Sequence, residues 1–369
     1  MNPNTQKLHA LGQSLWLDNI TRDLLADGTL ARYIAELSVT GLTSNPTIFE
    51  QAIGKGSAYD AAIGDLARQG ESGEGLFFAL ALQDLTRAAD LFRPVWEASG
   101  GGDGWVSLEV SPLLADDSAL TIKAAARLHA AAARPNLFIK IPGTKAGIAA
   151  IEESIFAGVP INVTLLFSRA HYLAAAEAYL RGIERRVAAG LDPKVESVAS
   201  LFVSRWDVAV KEGISPQFHN RLGIAIAMRT YQTYRELLAS ARWQKLAQAG
   251  AGPQRLLWAS TGTKDPAAPD TLYIEALAAP DTINTIPEKT LHAFAEHGKV
   301  GAAMPVDGGH AEAVIEEFRR EGVDDEALAA RLQREGADAF SKSWNALLSR
   351  IREKSPRIPS PASAGEGVG

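Results

Sequence analysis

The stretch LFIKIPG, residues 137–143, contains the feature that decides the fold, a lysine inside an apolar run with the composition of a strand. Successive side chains of a strand point to opposite faces, so Leu137, Ile139 and Ile141 share one face and Lys140 lies on the other. If helices cover the apolar face, as in an α/β barrel, Lys140 points into the barrel interior.

Seven further short runs rich in strand formers lie along the chain, and amphipathic helical patterns separate them. They are SLWLDN (14–19), SVTGLTSN (38–45), WVSLEVSP (105–112), PINVTLLFS (160–168), SVASLFVS (197–204), RLLWASTG (255–262) and the weaker DTINTIP (281–287). Strands alternating with helices indicate a parallel sheet, and eight of them close a (β/α)8, or TIM, barrel. The competing open, doubly wound sheet usually carries a glycine-rich phosphate turn, and neither G-x-G-x-x-G nor a P-loop occurs.

Apolar residues at helical spacing continue through residues 308–353 and include Trp344, Leu347 and Ile351. We therefore predict one α/β-barrel domain over residues 1–353, with extra helices at its C-terminal end. Residues 354–369 are rich in Pro, Ser, Ala and Gly, a composition typical of a disordered tail.

The composition of the chain excludes several classes of function. It contains no cysteine, which excludes a disulfide framework, a thiolate metal site and a cysteine nucleophile. Its formal charge of −6 disfavours a nucleic-acid partner, although a few local cations suffice for a small anionic substrate. The polar N-terminus and the shortness of the apolar stretches predict a cytoplasmic protein without a membrane partner. Its oligomeric state is expected to be monomer or homodimer.

Three other predicted strands place polar side chains on the same inward face as Lys140. These residues are Asp18, Glu109, Asn162 and Thr164. Their outward-facing neighbours are predicted to be Leu15, Leu17, Val106, Leu108, Val110, Ile161, Val163, Leu165 and Phe167. Because the active site of such a barrel lies at the C-terminal ends of its strands, the sequence predicts a polar site there.

Each of these polar residues also has a purely structural interpretation. Lys140 can be the ion-pair partner of Glu109 or Asp18, since a buried charge persists only when it is paired. Asp18 alone can cap a helix near Thr21, and the polar residues of 160–168 can be hydrogen-bonding core residues. A structural pair needs only two residues, whereas this interior collects five, so the combination favours catalysis.

Such a set of residues supports Schiff-base chemistry on a carbonyl compound. A desolvated lysine amine attacks a ketone, and the resulting iminium withdraws electrons so that the neighbouring carbon–carbon bond can break. Asp18 and Glu109 suit the two proton transfers, and Thr164 is placed to hold a water molecule. No HExxH, Cys/His cluster or G-x-S-x-G motif occurs, so we expect neither a metal nor a cofactor.

Together, the ends of these strands resemble the transaldolase family. The motifs that carry the resemblance are LDN (17–19), GLTSNPTIF (41–49), VSLEVSP (106–112), NLFIKIPGTKAG (136–147), GVPINVTLLFS (158–168), SLFVSRWD (200–207) and ASTGTKDP (259–266). They cover about residues 10–300. The chain length and the STGTK segment are similar to the bacterial branch related to the transaldolase halves of transaldolase–phosphoglucose isomerase fusions.

The resemblance implies a barrel of the class I aldolase type in which Lys140 forms the Schiff base. It implies that Asp18 takes the proton during aldol cleavage, and that Glu109 with Thr164 forms the water and proton shuttle. The implied substrate contacts are Asn45 and Asn162 to the dihydroxyacetone hydroxyls, Ser200 to the substrate, and Arg205 and Ser260 to its phosphate.

One position departs from the family pattern. Many transaldolases carry an arginine two residues after the serine that corresponds to Ser260, whereas this chain has Gly262. Lys264, two residues further on, is expected to supply the missing charge. The alternative is that Lys264 is a solvated loop lysine.

The implied partners are small sugar phosphates. The implied reaction moves a dihydroxyacetone unit from sedoheptulose 7-phosphate to glyceraldehyde 3-phosphate, giving erythrose 4-phosphate and fructose 6-phosphate in the non-oxidative pentose phosphate pathway. Three alternatives remain: an aldolase that releases free dihydroxyacetone, a catalytically silent barrel that binds sugar phosphates or serves as a scaffold, and a metal-dependent barrel enzyme.

Overall fold

A computed structural model describes residues 1–356, which contain a closed barrel of eight parallel strands in sequential order. The strands are β1 (Gln13–Leu17), β2 (Val39–Leu42), β3 (Val106–Glu109), β4 (Leu137–Pro142), β5 (Ile161–Leu166), β6 (Ser197–Phe202), β7 (Gln254–Ala259) and β8 (Thr282–Ile286). β8 pairs with β1 and closes the barrel. The predicted TIM barrel is confirmed, and each of the eight predicted runs overlaps one strand.

Helices connect the strands and surround the barrel. They are α1 (Pro3–Ala10), α2 (Arg22–Ala26), α3 (Thr29–Glu36), α4 (Pro46–Gly54), α5 (Asp60–Arg68), α6 (Gly73–Ala98), α7 (Ser118–Ala132), α8 (Lys145–Phe156), α9 (Arg169–Ala188), α10 (Ser204–Val210), α11 (Leu222–Ala239), α12 (Ala241–Gln248), α13 (Leu272–Ala276), α14 (Glu288–His297), α15 (Ala311–Arg320) and α16 (Asp325–Lys354). None of the helices in the described part of the chain combines the length and apolar character needed to cross a bilayer. Of the tail predicted to be disordered, residues 354–369, Lys354 is the last residue of α16, and residues 357–369 lie outside the described residues.

Capping residues begin several helices directly after the C-terminal ends of the strands. The side-chain oxygens of Asn45, Thr144 and Ser168 each accept a hydrogen bond from a backbone N–H three residues further on. These caps satisfy the free N–H groups at the starts of α4, α8 and α9. The polar residues that end the predicted strands therefore start the helices that follow them.

The predicted alternation of side chains holds around Lys140. In the strand register Lys140 lies opposite Glu109 on β3 and opposite Asn162 on β5, so the three side chains share the inward face. Leu137, Ile139 and Ile141 are fully buried on the other face of β4. The interior polar cluster therefore follows from the pairing of three consecutive strands.

The alternation fails in β5, where the register toward β6 shifts between Val163 and Leu166. Leu165 adopts φ = 59°, in the left-handed region that costs a leucine about 1–2 kcal/mol. The Leu166 side chain lies on the same face of the strand as that of Val163, since a Cβ placed on Gly143 would contact both of them. The expected outward orientation of Leu165 and Phe167 is therefore wrong, because the irregularity turns the chain.

The displaced side chains pack under the last helix, α16. A Cβ built at Gly336 would lie 2.9 Å from Leu165 Cδ2 and 3.7 Å from Phe167 Cε2. α16 also contacts α4, where the hydroxyls of Ser343 and Thr47 are 2.8 Å apart. The extra C-terminal helix consequently crosses the end of the barrel at which the strands terminate.

The opposite end of the barrel is filled by a polar network and aromatic rings. The Asp103 carboxylate accepts hydrogen bonds from the Ser14 hydroxyl and from Trp16 Nε1, the latter at 2.8 Å. Arg255 donates to Ser14 Oγ at 2.8 Å, and the rings of Trp105 and Phe138 stack with centroids 4.0 Å apart. This packing closes the N-terminal end, as expected for a TIM barrel with a solid core.

Glu196, just before β6, is a half-buried carboxylate at this closed end that accepts no hydrogen bond from the described residues. Burial raises the pKa of Glu196 to about 7, although Lys194 and Arg255 oppose the shift. A carboxyl whose pKa is higher in the folded protein stabilises the fold while it is protonated. This contribution is fully present below the ordinary pKa of 4.5 and is lost as the pH rises through about 7.

We therefore expect Glu196→Gln to stabilise the protein at pH 8 by about 1–3 kcal/mol and to change its stability little at pH 4.5. Thermal unfolding at the two pH values measures the difference. Glu296→Gln, at an exposed position of α14, is the matched control. Equal changes in Tm at both pH values for Glu196→Gln would contradict the assignment.

Candidate active site

A cavity of about 330 Å³ lies at the C-terminal ends of the strands. Eight of the ten residues that the sequence singled out line it: Asp18, Asn45, Lys140, Thr164, Ser200, Arg205, Ser260 and Lys264. The other two, Glu109 and Asn162, lie behind the cavity surface and contact residues that line it. The structure thus brings the predicted set together in two layers around one space.

Lys140 lies between a carboxylate, a backbone carbonyl and the cavity. Its Nζ donates a hydrogen bond to the Ser44 carbonyl oxygen at 3.0 Å and lies 3.2 Å from Glu109 Oε2. Both side chains of this pair are more than 90% buried. The ion pair proposed as the structural alternative is therefore present, but Lys140 also borders an open space large enough for a ligand.

Glu109 is a buried carboxyl with an incomplete set of partners. Its Oε2 is in contact with Lys140 yet accepts no hydrogen bond from the described residues. Burial raises the pKa of Glu109 above its ordinary value, and the nearby charge of Lys140 opposes the shift. A carboxyl that holds its proton more readily is suited to passing it to and from a neighbouring group.

Asp18 follows β1 and faces the same cavity. The Thr43 hydroxyl donates a hydrogen bond to Asp18 Oδ1 at 2.8 Å, and the Thr285 hydroxyl lies 2.6 Å from that of Thr43. Burial raises the pKa of Asp18, while Lys140 and the Thr43 hydroxyl oppose the shift. The Asp18 carboxylate is held in place by a chain of two hydroxyls.

The suggestion that Asp18 caps a helix is wrong. Thr21 itself begins α2, since its Oγ1 accepts a hydrogen bond from the Leu24 N–H at 3.1 Å. The cap at this turn is complete without Asp18, so its carboxylate is left to face the cavity.

The amide of Asn162 is fully buried and hydrogen-bonded within the barrel. Its Nδ2 donates to Ser107 Oγ at 3.1 Å, and its Oδ1 accepts from Ser200 Oγ at 2.7 Å. Asn162 therefore has the contacts of a core hydrogen-bonding residue, and Ser200 is the member of this chain that reaches the cavity.

Thr164 differs from Asn162, because its hydroxyl is buried and has no hydrogen-bond partner within residues 1–356. A buried polar atom without a partner is costly unless water or a ligand completes it. Thr164 lines the cavity, which is the space from which such a partner comes. The Asn45 amide is also available there, because only its Oδ1 is used to cap α4.

Arg205 supplies a cation at the far side of the cavity. Its guanidinium lies over the Phe202 ring at 5.1 Å and over the Phe340 ring at 6.0 Å. It forms no salt bridge within 4 Å among residues 1–356. An arginine that is held by stacking and has no paired carboxylate is arranged to receive an anion.

Ser260 and Lys264 lie on the loop that follows β7. Ser260 has φ = 54°, and its hydroxyl is 3.0 Å from that of Ser204. A Cβ built at Gly262 would lie 3.0 Å from Pro287 Cγ and 3.8 Å from Lys264 Nζ. Lys264 therefore occupies the space into which a side chain at position 262 would extend. Its positive charge also acts to lower the pKa of Asp18.

Sequence inspection missed several residues that line the cavity, notably Thr43, Thr285, Gln51 and Phe340. Thr43 lies within the second predicted strand, residues 38–45, so the same two-residue alternation applies to it. Phe340 belongs to α16, and no local pattern indicates that this helix reaches the site. Among residues 1–356, no three His, Asp or Glu side chains converge as metal ligands do.

A family model described as Transaldolase/Fructose-6-phosphate aldolase matches residues 15–351, which contain the whole cavity. The chain belongs to this family. The match extends through β8 into the last helix, so it covers both the barrel and the C-terminal wall of the site.

Relatives of similar length support this membership. A protein named transaldolase from Renibacterium salmoninarum is 43% identical over 363 residues, which cover 96% of this chain and 97% of the relative. A transaldolase from Thiobacillus denitrificans is 45% identical over 355 residues, covering 94% and 99%. One from Thermobifida fusca is 44% identical over 363 residues, covering 96% and 99%. The similarity therefore extends over nearly the full length of each relative.

Proposed function

We propose that this chain is a transaldolase that acts through a Schiff base on Lys140. It transfers a dihydroxyacetone unit from sedoheptulose 7-phosphate to glyceraldehyde 3-phosphate and so yields erythrose 4-phosphate and fructose 6-phosphate. The observation that carries the proposal is the buried Lys140 amine, which lies 3.2 Å from Glu109 and borders a cavity shared with Asp18 and Arg205. These substrates and the absence of cysteine from the sequence favour a cytoplasmic location.

Imine formation is the first step. After Lys140 passes its ammonium proton to Glu109, the free amine attacks the C2 carbonyl of the ketose and forms a carbinolamine, from which water is lost to give the iminium. Glu109 gives the proton that the leaving hydroxyl needs, since its pKa is raised by burial. The unpartnered hydroxyl of Thr164 binds the water molecule involved.

Bond cleavage follows from the electron demand of the iminium. Asp18 accepts the proton of the C4 hydroxyl, the C3–C4 bond breaks, and its electrons flow to the iminium nitrogen as an enamine forms. The new aldehyde, erythrose 4-phosphate, leaves. Asn45 and Ser200, which line the cavity, hold the hydroxyls of the retained three-carbon unit, and Asn162 orients Ser200 from behind.

The second half of the reaction reverses these steps on another aldehyde. The enamine carbon attacks the carbonyl of glyceraldehyde 3-phosphate, and Asp18 returns its proton to the new alkoxide. Water then adds to the iminium with the help of Glu109 and Thr164, which frees Lys140 and releases fructose 6-phosphate. Atoms and charges balance without any redox partner.

The phosphate group binds at the cationic side of the cavity. Arg205 and Lys264 provide the charges, and Ser260 adds a hydroxyl beside them. Lys264 takes the role of the arginine that many transaldolases carry at the position of Gly262, because it occupies the adjacent space. A guanidinium and an ammonium together match a phosphate dianion in charge.

The second candidate function is fructose-6-phosphate aldolase, which the description of the matched family also includes. That reaction uses the same lysine but releases free dihydroxyacetone. Incubation of fructose 6-phosphate with and without an acceptor aldehyde separates the two, because a transaldolase turns over only when the acceptor is present.

Lys140→Ala is expected to lower transfer activity at least about 1000-fold and to abolish borohydride trapping of fructose 6-phosphate, because the imine nitrogen is lost. Peptide mass mapping of the trapped wild-type protein should place the adduct on residue 140. Lys145→Ala, at an exposed position that begins α8, is the matched control and should behave as wild type. An adduct in Lys140→Ala would contradict the proposal.

Lys264→Ala should raise KM for phosphorylated substrates about 5- to 10-fold, the effect expected of one exposed charge on a phosphate. Arg205→Ala should raise it further, because that cation is half-buried. Steady-state kinetics with the exposed-site control Lys245→Ala would test both. An unchanged KM in Lys264→Ala would favour the solvated loop lysine instead.

Thr43→Val removes the hydrogen bond that stabilises ionised Asp18, so the pKa of Asp18 should rise further. Asp18 has to be ionised to accept a proton, and activity is therefore lost as the pH falls through its pKa. The acidic limb of the kcat/KM profile should move upward by about half to one pH unit. The control Thr86→Val, on α6, should leave the acidic limb of the kcat/KM profile unchanged. If Thr43→Val also leaves the acidic limb unchanged, Asp18 is not the base.

A further inference from the structure

Gln333, on α16, joins the ends of two barrel strands next to the cavity. Its Nε2 donates hydrogen bonds to the carbonyl oxygens of Gly143 and Leu165, each at 3.0 Å. Gly143 directly follows β4, which carries Lys140, and Leu165 lies in β5 next to Thr164. Both N–H groups of this one amide thus donate to backbone carbonyls that lie near two of the proposed catalytic residues.

These carbonyls belong to a corner whose backbone conformation is unusual. The Gly143 N–H donates to the Thr164 carbonyl oxygen at 2.7 Å, and the next residue, Leu165, has φ = 59°. A leucine remains in this left-handed conformation only when its surroundings impose it. The hydrogen bond from Gln333 to the Leu165 carbonyl is one such constraint, and it comes from outside the barrel.

Thr164 is the residue whose side chain this corner directs. A β-branched side chain has little freedom at χ1, so the backbone around Thr164 sets where its hydroxyl points. That hydroxyl is buried, has no partner and borders the cavity. A rotation of the corner would move it away from the place where it meets water.

We propose that Gln333 is a positioning residue for the water-dependent steps of the reaction. It holds the Leu165 carbonyl, and thereby the backbone of Thr164, so that the Thr164 hydroxyl presents water to the carbinolamine and the imine. This inference rests on the proposed Schiff-base function of Lys140. Cleavage of the carbon–carbon bond, which uses Asp18, does not pass through this contact.

A double-mutant cycle separates this role from simple structural support. Gln333→Met keeps the length of the side chain but removes both donors, and Thr164→Ala removes the hydroxyl on which Gln333 is proposed to act. The readouts are the pre-steady-state rate at which borohydride-trappable imine forms, kcat, KM for the acceptor aldehyde, and Tm.

We expect Gln333→Met to lower the rate of imine formation and kcat about tenfold, with KM for the acceptor within about twofold of wild type. In the Thr164→Ala background the same substitution should change neither rate by more than about twofold, because the group it positions is gone. Asn345→Leu, which removes an exposed amide from the same helix, should leave the rates unchanged.

Several results would overturn the proposal. Effects of Gln333→Met that multiply with those of Thr164→Ala would mean that the two residues act independently, and a fall in Tm with unchanged rates would mean that Gln333 is structural only. If Gln333→Met does not fold, Gln333→Asn keeps an amide that is one methylene too short for both carbonyls, and the same cycle applies to it. If the wild-type protein transfers the dihydroxyacetone unit but the double-mutant cycle is additive, only this inference is refuted. If the wild-type protein neither forms a trappable imine nor transfers, the proposed function and this inference are refuted together.

Discussion

The constraint on which the rest of this structure depends is the burial of the Lys140 amine inside the barrel. A charged group taken out of water has to be compensated by an opposite charge and by hydrogen bonds. Glu109 and the Ser44 carbonyl provide this compensation at 3.2 and 3.0 Å. Burial raises the pKa of the Glu109 carboxyl against the opposing charge of Lys140, and the Lys140 amine borders the cavity, so one physical requirement organises both stability and chemistry.

The closed barrel meets this requirement because it brings side chains from all eight strands to one interior. Register places Glu109, Lys140 and Asn162 side by side, while the filled N-terminal end leaves the polar residues at the other end. Asp103 and Arg255 both hydrogen-bond to Ser14 at the closed end, whereas the Thr164 hydroxyl near the cavity has no hydrogen-bond partner among the described residues.

Much of this arrangement was predictable from the sequence, because strands buried on both faces make their polar residues conspicuous. The eight strands and the inward position of Lys140 follow from two-residue alternation, and the family motifs supplied the roles of Arg205 and Ser260. Alternation does not predict Leu165, whose left-handed conformation is imposed by contacts with the rest of the fold. Nor does it indicate Phe340, because a residue on a helix far along the chain carries no local sign of where it packs.

The position of α16 has a consequence for how the protein is made. Translation delivers the eight strands first, and the helix that holds the Leu165 carbonyl and contributes Phe340 to the cavity wall follows all of them. The lysine and the carboxylates of the barrel are therefore synthesised before the residues that hold the corner at Leu165 and complete the cavity wall. A chain interrupted before α16 therefore contains the reactive groups but lacks the helix that completes their site.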